Sequence, residues 1–158
     1  MAGACYSPLH HPPVLHIQSL PPTAQLDFEE FLLTRTTWEH YLLSQIQFLV
    51  PSEDLIYHLS SPDLIAALDG SYNEQNTTGS YAWILSQLDG TRLIRCSGNV
   101  TAHRGSSFCS EAYGILSLYL LLQLLTEYFT FRPNLTTIYS DSKSAVDVLN
   151  TWDGWKPR

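Results

Sequence analysis

Between residues 106 and 129 the chain reads Ser-Ser-Phe-Cys-Ser-Glu-Ala-Tyr-Gly-Ile-Leu-Ser-Leu-Tyr-Leu-Leu-Leu-Gln-Leu-Leu-Thr-Glu-Tyr-Phe. A helix over this stretch is apolar nearly all round, so more than one neighbour has to bury it. The rest of the chain must therefore supply its cover.

The flanking segments read as strands. Residues 64–68 form a short apolar run that ends at Asp69, and residues 70–79 read as a polar loop. Residues 80–88 alternate, with Tyr81, Trp83 and Leu85 on one side and Ala82 and Ile84 on the other. Asp89-Gly90 is a two-residue hairpin signal, and residues 91–97 are the return strand. Residues 98–105 are mixed, with a bent strand end. Arg132-Pro133-Asn134 breaks the long helix. Residues 135–140 then read as a strand and residues 142–150 as a short helix, with Ala145, Val148 and Leu149 on one face.

Strand, strand, strand, helix, strand, helix predicts an α/β fold with a mixed sheet. Three antiparallel strands come first, and a crossover helix leads to a fourth strand parallel to the first through a right-handed connection. That order puts Asp69 and Asp141 at the same end of adjacent parallel strands, where α/β sheets commonly bind ligands.

The N-terminal part is different. Residues 1–25 are rich in Pro and His and read as an irregular lead-in. His10, His11 and His16 are metal-ligand types, but a Pro/His tract without structure is the better reading. Residues 26–60 read as a helical extension. One helix is expected over residues 37–48, where Thr36 and Glu39 have capping-box spacing. A second starts at Pro51-Ser52-Glu53-Asp54, a Pro followed by first-turn acids. Residues 61–158 then form the sheet-bearing domain.

Three acids stand at element ends: Asp69 after the first strand, Glu111 in the opening turn of the long helix, and Asp141 after the fourth strand. Each has a plain alternative. Asp69-Gly70 could be a turn, Glu111 a first-turn acid favoured by the helix dipole, and Asp141 an N-cap. Brought together they need compensation, because two carboxylates about 4 Å apart repel by roughly 4 kcal/mol at an effective dielectric near 20. Either some protonate or a hard cation binds. Oxygen-only ligands suit Mg²⁺ or Mn²⁺. His103 and Arg104, just before the helix, read as loop residues, and Trp152 and Trp155 as packing against the sheet.

Composition narrows the classes. The chain has 158 residues, 44% hydrophobic and only 15% charged, with a net charge of −7. Residues 1–60 hold one basic residue, Arg35, and six acidic ones, whereas residues 61–158 hold seven basic and nine acidic. Neither part has the basic balance of a strong unaided nucleic-acid binder. Cys5, Cys96 and Cys109 lack metal-site spacing, and an odd count fits a reducing compartment. The three N-x-[ST] sequons at Asn76, Asn99 and Asn134 read as chance occurrences in a Thr- and Ser-rich chain. The N-terminus has no secretory pattern. The apolar run 115–125 is well short of about 20 residues and is interrupted by Ser117 and Gln123, so no membrane span is expected. The expected location is intracellular, in cytoplasm or nucleus.

Residues 63–150 resemble the ribonuclease H family, in particular the RNase H-like domains of retroelement polyproteins. The resemblance rests on Asp69-Gly70-Ser71 after a strand, Gly79-Ser80-Tyr81-Ala82-Trp83 on the second strand, Ser106 to Gly114 opening the helix, and Ile138-Tyr139-Ser140-Asp141-Ser142 leading into the last helix. It implies a metal-dependent endonuclease that cleaves the RNA strand of RNA–DNA hybrids. Asp69 would bridge two Mg²⁺ ions and Glu111 and Asp141 would hold one each, with Ser71 and Ser142 as contacts to the hybrid. RNA would be told from DNA by its 2′-hydroxyl. The family usually has a fourth carboxylate on a final helix after a fifth strand. Asp153 is a poor substitute, so the chain is expected to be a truncated copy or fragment. With no Tyr-x-Asp-Asp signature, any reverse transcriptase would lie elsewhere in a longer polyprotein. The alternative is an inactive RNase H-fold remnant acting as a nucleic-acid or protein interaction module.

Overall fold

The computed structural model describes residues 26–101, 105–135 and 137–151. The Pro/His tract with its three histidines, the pair His103 and Arg104, and Trp152, Asp153 and Trp155 lie outside the described residues.

In chain order the elements are α1 (Phe28–Leu33), α2 (Thr37–Leu42), β1 (Gln47–Phe48), α3 (Ser52–Leu59), β2 (Leu64–Asn73), β3 (Thr78–Gln87), β4 (Arg92–Val100), α4 (Ser107–Phe129), β5 (Thr137–Ser140) and α5 (Lys143–Thr151). The protein is α/β, with a five-stranded mixed sheet of order β1-β4-β3-β2-β5. β2, β3 and β4 form the expected antiparallel meander. β5 returns beside β2 as the parallel pair, with Ile65 opposite Thr137 and Leu68 opposite Ser140.

Several local expectations change. The helix expected over 37–48 stops at Leu42, and Gln47–Phe48 instead pairs with Arg95 and Ile94 at the far edge of the sheet. The capping box at Thr36 and Glu39 is present. Its helix is short because the chain is pulled to the open edge of β4, where Arg95 Nε donates to Gln47 Oε1 at 2.8 Å. An earlier helix, α1, carries its own capping box between Asp27 and Glu30.

The first long strand does not end at Asp69. It pairs with β3 through Asn73, which makes Asp69 an in-ladder residue opposite Ala82. Only residues 74–77 form the connection, where the Asn73 side chain accepts from Gln75 N at 2.9 Å. The second hairpin has three loop residues rather than two. Gly90 N–H closes a turn onto Gln87 O at 2.9 Å, and Gln87 N–H bonds Thr91 O at 2.8 Å. Gly90 sits at φ 92°, where a side chain is disfavoured, as a type I turn followed by a left-handed residue requires.

One face of the sheet is buried. Leu64, Ala66 and Leu68 of β2, Tyr81, Trp83 and Leu85 of β3, and Ile94 and Cys96 of β4 meet Leu118, Leu121, Leu124 and Leu125 of α4. Phe28, Leu32, Leu43, Leu55 and Leu59 from the N-terminal helices join the same cluster. α4 is thus covered by the sheet and by the helices together. With 23 residues it is long and apolar enough to cross a membrane by length and composition, although the run within it reads shorter. Here it is the central core helix, with Ser110, Glu111 and Ser117 among its buried residues.

A buried polar hub fixes the N-terminal helices to the core. The Leu42 carbonyl accepts from Tyr81 Oη at 2.8 Å and from Ser117 Oγ at 2.6 Å, and Trp83 Nε1 donates to Ser117 Oγ at 2.8 Å. α2 ends at this carbonyl, which would otherwise be an orphan acceptor. Burial pushes the Tyr81 hydroxyl up to about 12, so it remains a protonated donor.

Candidate metal centre

β2 and β5 are paired only as far as Leu68 and Ser140. The next residue along the chain in each case is an acid, Asp69 within β2 and Asp141 just past the end of β5. Beyond that point β2 stays with β3, while the chain after β5 turns into α5. The two parallel strands thus part at their carboxyl ends, the position of the binding crevice in open α/β sheets.

Glu111 enters this fork from α4. Ser106 caps the helix by accepting from Cys109 N at 3.1 Å, so Glu111 lies one turn inside rather than in the first turn as expected. No acidic residue occupies that first turn, and attraction to the helix terminus does not account for Glu111. Its placement comes from contact. A Cβ on Gly70 would lie 2.6 Å from the Ser110 carbonyl carbon and 2.9 Å from Glu111 Cα. Only glycine lets the α4 backbone rest on β2 here. Ser110 Oγ adds a bond to Ser71 O at 2.8 Å.

The three carboxylates meet. One ligand oxygen from each of Asp69, Glu111 and Asp141 lies within 4.8 Å of the others. Asp69 and Asp141 are exposed, whereas Glu111 is 1% exposed. Glu111 Oε1 accepts from Gly70 N at 3.0 Å and Oε2 from Ser140 Oγ at 3.2 Å. Burial is the largest influence on its carboxyl and raises it above the usual range. The two hydrogen bonds pull it down, and the charges of Asp141 and Asp69 push it up again. An acidic triad of this kind could bind a metal ion. The all-oxygen donor set fits a hard divalent cation, whose charge would offset both the burial of Glu111 and the mutual repulsion.

The remaining sequence candidates sit close by. Ser71, two residues along β2 from Asp69, is exposed and shares a hydrogen bond with Ser80 Oγ at 2.8 Å. Ser142, not Asp141, caps α5. Its Oγ accepts from Ala145 N at 3.3 Å and its carbonyl from Val146 N at 3.0 Å. The Asp141 side chain is thereby spared capping duty. The expected apolar face of α5 has Ala145 buried, while the side chains of Val148 and Leu149 lie outside the described residues. Two residues that sequence reasoning passed over belong to the site, Gly70 as backbone donor and Ser140 as side-chain donor. Their signal was adjacency to Asp69 and Asp141.

Comparison with protein-family models, with curated proteins and with solved structures finds no match.

Proposed function

We propose that the chain carries a ribonuclease H-type site, a metal-dependent endonuclease centre that cleaves the RNA strand of RNA–DNA hybrids. The observation that carries this reading is the meeting of Asp69, Glu111 and Asp141 at the fork of the parallel pair, with ligand oxygens within 4.8 Å of one another. The order of the elements adds support. An antiparallel meander, a crossover helix and a parallel return strand bring the three acids in from β2, α4 and the end of β5.

Asp69, Glu111 and Asp141 would hold Mg²⁺, with Mn²⁺ as a substitute. Bound cations of this kind activate water for attack on a phosphodiester and stabilise the leaving oxygen. Glu111 presents a carboxylate fixed at both oxygens, while the exposed Asp69 and Asp141 leave the solvent side open to a phosphate. Ser71 and Ser142 flank the exposed acids and are the proposed contacts to the hybrid. The proposed setting is intracellular, as part of a retroelement polyprotein that includes a reverse transcriptase.

The test is Mg²⁺-dependent cleavage of a labelled RNA–DNA hybrid, with the Asp69→Asn variant as control. Cleavage no faster than that control sinks the nuclease reading. The second reading, a non-catalytic module of the same fold, is favoured by the net charge of −7, which opposes unaided binding to a polyanion. It gains if the wild-type protein binds Mg²⁺ or hybrid but leaves the RNA strand intact.

A further inference from the structure

We propose that Ser140 is a positioning residue that sets the plane of the Glu111 carboxylate, a role that rests on the metal-binding reading of the acid cluster for its functional consequence. The final torsion of a glutamate side chain is broad and two-fold, so rotamer preference does not orient its oxygens. Hydrogen bonds at both oxygens do. Oε1 is held from β2 by Gly70 N–H and Oε2 from β5 by the Ser140 hydroxyl.

The direction of the Ser140 bond follows from counting hydrogens. A serine hydroxyl has one hydrogen to donate. Ser142 N–H approaches Ser140 Oγ at 3.1 Å and must be the donor there. The hydroxyl hydrogen is left for Glu111 Oε2. Ser142 is itself held by α5, through Ala145 N on its Oγ and Val146 N on its carbonyl. The orientation therefore passes from the first turn of α5, through Ser142 N–H and Ser140 Oγ, to Glu111. A carboxylate offers about four lone-pair positions. With two occupied from the strands, the other two remain for a cation shared with Asp69 and Asp141.

The test compares Ser140→Ala, Ser140→Thr and Ser140→Val. Binding of Mn²⁺ and of Mg²⁺ is measured by calorimetry, and the ¹³Cδ resonance of Glu111 is recorded in metal-free protein at fixed neutral pH. Losing a partner that orients a metal ligand typically weakens binding by about 10–100-fold. The Ala and Val variants should lose affinity by at least about tenfold and shift the Glu111 resonance. The Thr variant, which keeps the hydroxyl, should stay near wild type in both. Wild-type affinity and an unmoved resonance in the Ala variant overturn the role, as does equal loss in Thr and Val. A Val variant that cannot fold beside a folded Thr variant overturns it in favour of a folding role. Should the wild-type protein bind no metal, the reading of the acids fails by itself. The Glu111 resonance then still decides whether Ser140 holds the carboxylate.

Discussion

The backbone amide of Gly70 donates to Glu111 Oε1 at 3.0 Å, while the absent side chain of the same glycine leaves room for the Glu111 backbone. One residue thus sets both the height of α4 over the sheet and the attitude of the buried carboxylate. Gly70→Ala places a methyl against helix backbone, which cannot rotate away. The expected cost is about 1–3 kcal/mol of stability, read as a lower urea midpoint at unchanged slope. Mg²⁺ affinity should fall with it, because Glu111 is displaced from the fork.

Removing the buried acid separates stability from binding. Glu111→Gln keeps the shape and deletes a charge that burial disfavours, but its amide has one acceptor oxygen for the two donors at Gly70 and Ser140, so metal-free stability should change little. The response to metal should vanish. For a folded state that alone binds the cation, Mg²⁺ at about 100 times its dissociation constant adds about 2.7 kcal/mol. Thermal unfolding with and without Mg²⁺ should show that gain in the wild type and not in the variant.

The raised Glu111 carboxyl gives metal-free stability a definite sign with pH. Burial holds its folded-state value above the unfolded one. Between the two values the folded protein carries more bound proton than the unfolded chain. Stability therefore falls as pH rises through that window, above the usual glutamate range, and recovers on acidification back through it. Urea unfolding of the metal-free protein across this window should show the slope, and Glu111→Gln should flatten it. Metal affinity should run the other way and increase with pH, since the cation requires the ionised ligand.

The hub at Ser117 predicts a fold effect that leaves the site alone. Ser117→Ala removes the acceptor of Trp83 Nε1 and one donor to the Leu42 carbonyl, which keeps the Tyr81 hydroxyl. A buried indole N–H left unpaired costs about 1–3 kcal/mol. The urea midpoint should drop and the tryptophan near-ultraviolet signal should change. Mg²⁺ affinity of the folded variant should match wild type.

Local chemistry was legible wherever a short stretch carries its own reason. The Thr36–Glu39 capping box, the Ser106 end of the long helix, the Tyr81-Trp83-Leu85 alternation and the turn at Asp89-Gly90 depend on residues a few positions apart. Errors arose where a distant neighbour decided the outcome. Gln47–Phe48 lies in a stretch where Trp38, Tyr41, Leu42, Ile46 and Leu49 recur at helical intervals, but it leaves the helix because the β4 edge offers backbone partners. β2 continues past Asp69-Gly70, a turn-like pair, because β3 supplies ladder bonds as far as Asn73. Capping, the plain alternative for Asp141, is decided locally instead, by the adjacent Ser142.

By itself, the sequence determined the order of strands and helices from β2 onward, the apolar face that must be covered, and which three acids stand beside the elements that could join them. Those are properties of neighbouring residues and of their period. Tertiary structure alone decided that β2 and β5 part after Leu68 and Ser140, that Gly70 admits α4 to close contact, and that Glu111 is buried with a hydrogen bond at each oxygen. Each of these joins segments about 30 or more residues apart, brought together by burial of the sheet's apolar face under α4. No local pattern encodes the distance between Asp69, Glu111 and Asp141.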